Sequence, residues 1–326
     1  MKIPPLYKIT PEILELISQI EALKIFYSSI EISSERKENL KRISLLKSSL
    51  FSAKIEGNPL QLNEIEKTSK QKEKQEVFNI LNAIKYVEKI KIKKITGKQI
   101  LTLHQLVIGG LSDDAGHFRK TPEAIFNQAG AAVAVFPPAI RIDGLLTKLL
   151  KYLNSGREKF SLIKAFVGHL IFEKIHPFVD GNGRVGRLLI NLVLKADGFD
   201  FGLAVPFEEY IEEHKEEYYF YLEEDYKNPQ DYLVFMLKGF LQKAGEIREE
   251  LAKKESDDLL LPPRQEEIYR IIKEHQTVTF DFIHRRFLAV PKRTLRYDLK
   301  KLLEKGFIVK IGKTNKSYYR IKQDVS

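Results

Sequence analysis

The sequence predicts a mainly α protein, a helical core carrying one small β-hairpin and followed by a C-terminal winged helix-turn-helix. Three observations lead there. Apolar residues recur at helical spacing through most of the chain before residue 250. The stretch 109–138 breaks that pattern with glycines, prolines and the apolar Val133, Val135 and Phe136. Beyond Pro262, three short helical runs lead into two β-rich runs around Gly312-Lys313-Thr314-Asn315.

The first predicted helix, 11–30, sets Ile13, Leu16, Ile17, Ile20, Leu23 and Ile30 near one face. A second is expected to start at a Ser33-Ser34 cap, with Glu35 and Glu38 in its early turns, where carboxylates favour the positive end of the helix dipole. It runs through Leu40, Ile43, Leu46 and Leu50 and should stop at Gly57-Asn58-Pro59. Helices are expected at 74–87 and 96–107, then a loop or short hairpin over 109–138. Helical patterning resumes at 142–153, 162–175 and 182–196, and is read as continuous from Pro206 past Leu222 to about Ala252. Glu246 to Pro263 reads as a linker of charged helix end and turn. The module beyond it is read as helices over 265–273, 280–287 and from Pro291 to Gly306, a strand at 277–279, and a hairpin of 307–311 with 317–321.

Composition narrows the function. Apolar residues are 43% and charged residues 30%, a globular rather than disordered profile. No apolar run reaches the roughly 20 residues that span a bilayer, and the first residues lack a signal-peptide core, so a cytoplasmic protein with no membrane partner is expected. The absence of cysteine excludes disulfides, thiolate catalysis and cysteine-held metals. The net charge of +10 is concentrated: from Pro262 onward there are 16 Lys plus Arg against 7 Asp plus Glu, so the rest of the chain is nearly neutral. An anionic partner is therefore expected for the C-terminal module alone.

The chemistry gathers in His176-Pro177-Phe178-Val179-Asp180-Gly181-Asn182-Gly183-Arg184-Val185-Gly186-Arg187. This segment follows one helix and opens the next. Its glycines let the backbone fold tightly, and the helix N-terminus near Asn182 adds exposed N–H groups and a positive dipole end, so the loop suits an anion. Arg184 and Arg187, three apart, can both reach a phosphate. Asp180 beside that anion repels it unless a divalent cation lies between them, which Mg²⁺ on a polyphosphate would do. His176 is the one base of the segment able to accept a proton near pH 7. Base, carboxylate, anion loop and paired arginines describe phosphoryl or nucleotidyl transfer.

The segment resembles the Fic family, whose His-Pro-Phe-x-Asp/Glu-Gly-Asn-Gly-Arg-x-x-Arg motif it matches without departure. The resemblance, spanning about residues 30–245 at the size of an ordinary domain, implies a helical Fic-type core. It also implies protein adenylylation: transfer of AMP from ATP to a Ser, Thr or Tyr hydroxyl of a target protein or of the enzyme itself. His176 would then be the general base, Asp180 the Mg²⁺ ligand, Gly181, Asn182 and Gly183 the anion hole, Arg184 a phosphate ligand and Arg187 the γ-phosphate ligand. Ala115-Gly116-His117-Phe118-Arg119 through Phe136-Pro137-Pro138 is similar to the family's flap, which pairs with the target peptide as an added strand. Tyr218-Tyr219 is similar to paired tyrosines near the family's nucleotide pocket, although tyrosines at helical spacing are as often core. Ser52-Ala53-Lys54-Ile55-Glu56-Gly57 resembles the family's inhibitory motif in its N-terminal position, with Ser52, Glu56 and Gly57 as its fixed residues. A carboxylate delivered to Arg187 competes there with the γ-phosphate. His169 and Glu173, just before the segment, are read as packing support rather than a metal site.

In the basic module, Lys292, Arg293 and Arg296 open the third helix, the part of a helix-turn-helix that enters the major groove of duplex DNA. Lys313 and Lys316 would sit at the wing tip. Winged helices also dock proteins, and a homodimer is left open. The expected organisation is 1–95 a helical region carrying the inhibitory motif, 96–245 the catalytic core, 246–262 a linker and 263–326 the winged helix. A nucleotide-sensing transcription regulator is the competing reading, and the intact His176 favours the enzyme, since a sensor needs the anion loop but not the base.

Overall fold

The computed structural model describes residues 1–30, 34–62, 64–65, 70–122, 124–126, 132–223, 229–252, 261–288, 290–312 and 317–322. The chain divides into two compact units, Met1–Lys253 and Lys254–Ser326.

The first unit is helical around one continuous apolar core. Helix α1 (Pro11–Ser29) is capped by the Thr10 hydroxyl, which accepts from the Ile13 amide, and it turns Ile13, Leu16, Ile17, Ile20 and Leu23 inward. Helix α2 (Ser34–Ile55) packs against α3 (Gln71–Lys89), while α4 (Gly97–Ile108) opens on a capping box between Thr96 and Gln99. Strands β1 (Ala124–Phe126) and β2 (Ala132–Val135) form the small antiparallel hairpin, with an irregularity between Ile125 and Phe126. The helix α5 (Ile142–Leu153) leads to the pair that flanks the 176–187 segment, α6 (Ser161–Ile175) and α7 (Asn182–Ala196), which pack on each other more extensively than any other two elements described. Helix α6 is buried on every side, so its lack of an apolar stripe reflects a central position rather than amphipathic packing.

The helix expected to run unbroken from Pro206 to Ala252 is instead three: α8 (Phe207–Glu213), α9 (Lys215–Glu223) and α10 (Gln230–Ala252). His214, at φ −120° and ψ 39°, leaves the helical region between the first two, and Pro229 precedes the third, its carbonyl accepting from the Leu233 amide. Of the stretch read as a linker of charged helix end and turn, 246–252 are the end of α10, with Leu251 buried. Helix α1 packs along α10 and α2 along α8, so the N-terminal helices share the core of the segments that follow. No helix among the described residues is long and apolar enough to cross a membrane.

The second unit has its own core, built on Ile268, Ile272, Ile283, Leu295, Leu299, Leu302 and Ile308 among others. Helices α11 (Pro263–His275), α12 (Phe280–His284) and α13 (Lys292–Glu304) accompany strands β3 (Val278–Thr279), β4 (Ile308–Ile311) and β5 (Tyr318–Ile321). The strands form an antiparallel sheet in the order β3-β5-β4. Ser33, Lys313 and Lys316, named in the sequence, lie outside the described residues.

Candidate active site

The site is built on the turn from α6 to α7. Helix α6 ends at His176 in the left-handed region, φ 49° and ψ 63°, a conformation that a non-glycine residue holds only when its surroundings fix it. Those surroundings are visible. The ring of Phe136 stacks on the His176 imidazole at 3.9 Å between centroids and 11° between planes. The buried Arg119 donates from Nε to the His176 carbonyl (2.7 Å), from one terminal nitrogen to Thr121 O (2.8 Å) and from the other to Pro137 O (2.7 Å). Its own amide donates to Pro177 O at 2.9 Å. One guanidinium thus ties both ends of the hairpin segment to the loop beneath it. The His176 ring is hydrogen-bonded to the Glu173 carbonyl. Burial lowers the His176 pKa to about 4, with Arg119 also lowering it and the Glu173 carbonyl opposing.

Asn182 pins the loop: its Oδ1 accepts from the Phe178 amide at 2.9 Å, and its Nδ2 donates to Phe178 O at 2.8 Å. The side chain of Asn182 is therefore spent on the turn, and only its backbone amide could serve an anion. With Gly183 and Arg184 it lies in the first helical turn, where amides have no intrahelical acceptor. Gly181, at φ 82°, could carry no Cβ without meeting Ile108 Cδ1 at 2.7 Å. His104 of α4 stacks on Phe178 at 3.7 Å and holds the loop from outside, its Nδ1 accepting from the Gly116 amide and its Nε2 donating to Asp180 O. Burial lowers its pKa, consistent with a neutral ring in that tautomer. Neither His104 nor Arg119 was singled out by the sequence reading as a site residue, because their roles arise only from contacts across the fold.

Around this turn the structure gathers two arginine-centred clusters. Arg187 is buried and donates from Nε to Ser52 Oγ (3.0 Å) and from one terminal nitrogen to both Ser52 O (2.8 Å) and Glu56 Oε1 (2.9 Å). Its other terminal nitrogen has no partner among the described residues. Burial opposes its charge, but Glu56 and the neighbouring tyrosines more than offset that and raise its pKa. Glu56 is placed by a helix terminus. The Gly57 amide donates to Lys54 O and the Asn58 amide to Ala53 O, with Gly57 at φ 99°, which is a Schellman end requiring glycine. Gly183 leaves the room that Glu56 needs, since a Cβ there would lie 2.4 Å from its Oε1. In the second cluster, Arg184 meets Asp180 Oδ1 at 2.7 Å and Glu76 Oε1 at 2.5 Å. A cavity of about 400 Å³ opens here, lined by Glu56, Lys72, Glu73, Glu76, Leu111, Asp180 and Arg184.

Tyr218 is placed beneath Arg187, 1% exposed, with its hydroxyl 3.0 Å from His169 Nε2. His169 Nδ1 meets the Tyr232 hydroxyl at 2.7 Å, which in turn donates to Phe166 O. His169 is thus a neutral, buried member of a hydrogen-bonded row, its pKa lowered to about 3 by burial and by Arg187. Tyr219 is 36% exposed and donates to Ile55 O at 3.3 Å, beside the turn that bears Glu56. Among the described residues no three His, Asp or Glu side chains converge as a metal site. Lys292, Arg293 and Arg296 belong to the second unit and are exposed on α13.

A glycine-rich loop opening a helix, a histidine beside it and two arginines in the first turns of that helix thus come together on a helical scaffold. Residues 94–194 match the model of the Fic/DOC family, so the chain carries a Fic/DOC domain. It is 29% identical over 156 residues to a probable protein adenylyltransferase of Aquifex aeolicus, covering 46% of this chain and 47% of that one. It is 27% identical over 197 residues to the protein adenylyltransferase Fic of Drosophila persimilis, covering 56% of this chain and 38% of that protein. The chain thus spans less than half the length of these relatives. Its fold is similar to the crystal structure of a Fic family protein from Desulfovibrio desulfuricans, with a TM-score of 0.69 at 24% identity over 100% of both chains. Fic-1 of C. elegans gives 0.60 at 20% identity, over 73% of this chain and 72% of that one. The mainly α, Fic-type fold expected from the sequence is the fold observed.

Proposed function

We propose that this chain is an autoregulated protein adenylyltransferase that moves AMP from ATP to a Ser, Thr or Tyr hydroxyl of a target protein and of itself. The observation that carries this reading is the convergence of His176, the amides of 182–184 and Arg187 on one turn, with Glu56 occupying Arg187. The target oxygen attacks the α-phosphorus, its proton passes to the His176 imidazole, and the bond to the β-phosphate oxygen breaks to release pyrophosphate. The amides at the start of α7 and Arg184 hold phosphate oxygens, and Arg187, once free, holds the γ-phosphate.

Asp180 fits a Mg²⁺ site: its carboxylate side chain is 63% exposed beside the anion loop. Bound there, Mg²⁺ would neutralise phosphate charge and take its remaining ligands from phosphates and water. The paired strands β1 and β2 would supply the edge on which a target peptide pairs through its backbone. Incubation with α-labelled ATP and Mg²⁺ should label the protein, with the adduct mapped to a hydroxyl by peptide mass spectrometry. A γ-phosphate label appearing instead would identify a kinase and overturn the reading.

A second element belongs to the C-terminal unit, which we read as a winged helix that binds duplex DNA. The observation favouring this is a groove of about 600 Å³ beside α13 whose lining includes Arg296, Lys300 and Lys310. The Arg296 guanidinium lies 4.9 Å from the Phe280 ring centroid, which orders it without neutralising it. The full-length protein should bind duplex DNA with an affinity that falls steeply with salt. Lys292, Arg293 and Arg296 changed together to Ala should weaken that binding. No binding at low salt would make the unit a protein-docking module.

A further inference from the structure

Arg184 is nearly as enclosed as Arg187, with its side chain only 6% exposed, and its Nε is buried without a partner among the described residues. Both of its terminal nitrogens are already engaged, one by Asp180 and the other by Glu76. Glu76 comes from α3, outside the signature segment. Its second oxygen accepts from Asn58 Nδ2 at 2.8 Å, and that amide nitrogen also donates to Glu73 O at 3.0 Å. Asn58 is the last residue of the turn that presents Glu56. Two carboxylates therefore reach two arginines, and one short turn touches both.

We propose that Glu76 is a second inhibitory carboxylate, which holds Arg184 against phosphate as Glu56 holds Arg187, and that Asn58 couples the two. The proposal rests on the adenylyltransferase reading and names a further regulator of the same site. An arginine whose terminal nitrogens both face carboxylates has lost the fork that grips a phosphate. Its two partners differ in how they can leave. Asp180 is 63% exposed and can turn to a cation arriving with the nucleotide. Glu76 is 16% exposed and anchored by Asn58, so it leaves only as the 56–58 turn moves. The adjoining cavity places Glu56, Glu73, Glu76 and Asp180 against Lys72 and Arg184, which repels a polyphosphate until that turn opens.

The test measures binding separately from transfer. Titration calorimetry with Mg²⁺ and an ATP analogue carrying a methylene between the α- and β-phosphates gives affinity for wild type, Glu76→Gln, Glu73→Gln and Glu56→Gly. Gln keeps an acceptor for Asn58 and removes the charge on Arg184. Glu76→Gln should bind roughly 3- to 30-fold more tightly, the scale of one charge-assisted hydrogen bond partly replaced by a neutral one. Glu73→Gln, which removes a charge from the same cavity without a contact to either arginine, should change affinity far less. Cooperative melting of each variant checks the fold. Unchanged or weaker binding by Glu76→Gln, or an equal gain in Glu73→Gln, overturns the proposal and makes Glu76 an orienting partner or one charge among several. Absence of transfer by Glu56→Gly, scored independently with labelled ATP, would count against the adenylyltransferase reading instead.

Discussion

Replacing His176 in a Glu56→Gly background is expected to reduce AMP transfer by about 10²- to 10⁴-fold, the usual cost of losing a positioned general base. Nucleotide binding should be largely kept, since on this reading the phosphate groups would face the amides of α7 and the arginines rather than the imidazole. The choice of substitute matters because His176 sits at φ 49°. Alanine there adds backbone strain, whereas asparagine tolerates the left-handed region and still cannot act as the base. His176→Asn and His176→Ala should therefore lose transfer alike, while the Asn variant melts closer to wild type. The pH dependence follows from burial. The ring must be neutral to accept a proton, and its pKa is lowered from 6.5 to about 4. Transfer should consequently not fall at the pH of an exposed histidine, and its acid limb should lie near the lowered value. The folding linkage has the matching sign: the unfolded histidine takes up its proton first, so the stability contributed by burying it neutral is full above 6.5 and is lost as pH falls toward about 4. Transfer by His176→Asn at the rate of its parent would remove the histidine from the mechanism.

The parts of this site that could be read from sequence are those whose physics is local. A glycine at positive φ, a helix N-terminus and arginines three apart carry their meaning within one or two turns, so the 176–187 loop and the end of α2 at Gly57 were legible. What escaped depends on contacts between distant elements. Arg119 looks like any loop arginine until four carbonyls, those of Thr121, Pro137, Ile175 and His176, converge on it. His104 is one polar residue on an apolar helix face, and only its stack on Phe178 and its bond to Asp180 O give it a task. Glu76 lies in a run of exposed-looking charges on α3, and nothing in that run marks the one carboxylate that reaches Arg184. The misread continuity of 206–252 has a similar origin. Helical periodicity in the sequence persists through His214, while in the fold the backbone leaves the helical region there, with α8 packed on α2 and α10 on α1.

Glu56→Gly is expected to raise self-labelling well above wild type. Arg187 spends one terminal nitrogen on Glu56 and Ser52 O and its Nε on Ser52 Oγ, which leaves its other terminal nitrogen as the one donor without a partner among the described residues. A γ-phosphate can use that remaining donor only by lying against the Glu56 carboxylate. A charge-assisted pair of this kind contributes on the order of 1.5 to 3 kcal/mol, so its removal corresponds to a gain of roughly 10- to 100-fold. Two companion variants separate charge from loosened structure. Glu56→Gln keeps the bulk beside Gly183 and one acceptor for the arginine but loses the repulsion of phosphate, and it should fall between wild type and Glu56→Gly. Ser52→Ala removes the Nε acceptor and leaves the carboxylate in place, so it should raise labelling little if Glu56 is the inhibitor. If freeing the arginine is the cause, Arg187→Ala added to Glu56→Gly should return labelling toward the resting level. If the glycine merely frays the end of α2, Glu56→Gln should behave as wild type and the gain should survive Arg187→Ala. Equal labelling of wild type and Glu56→Gly over a range of ATP concentrations would sink the inhibitory role of Glu56 altogether.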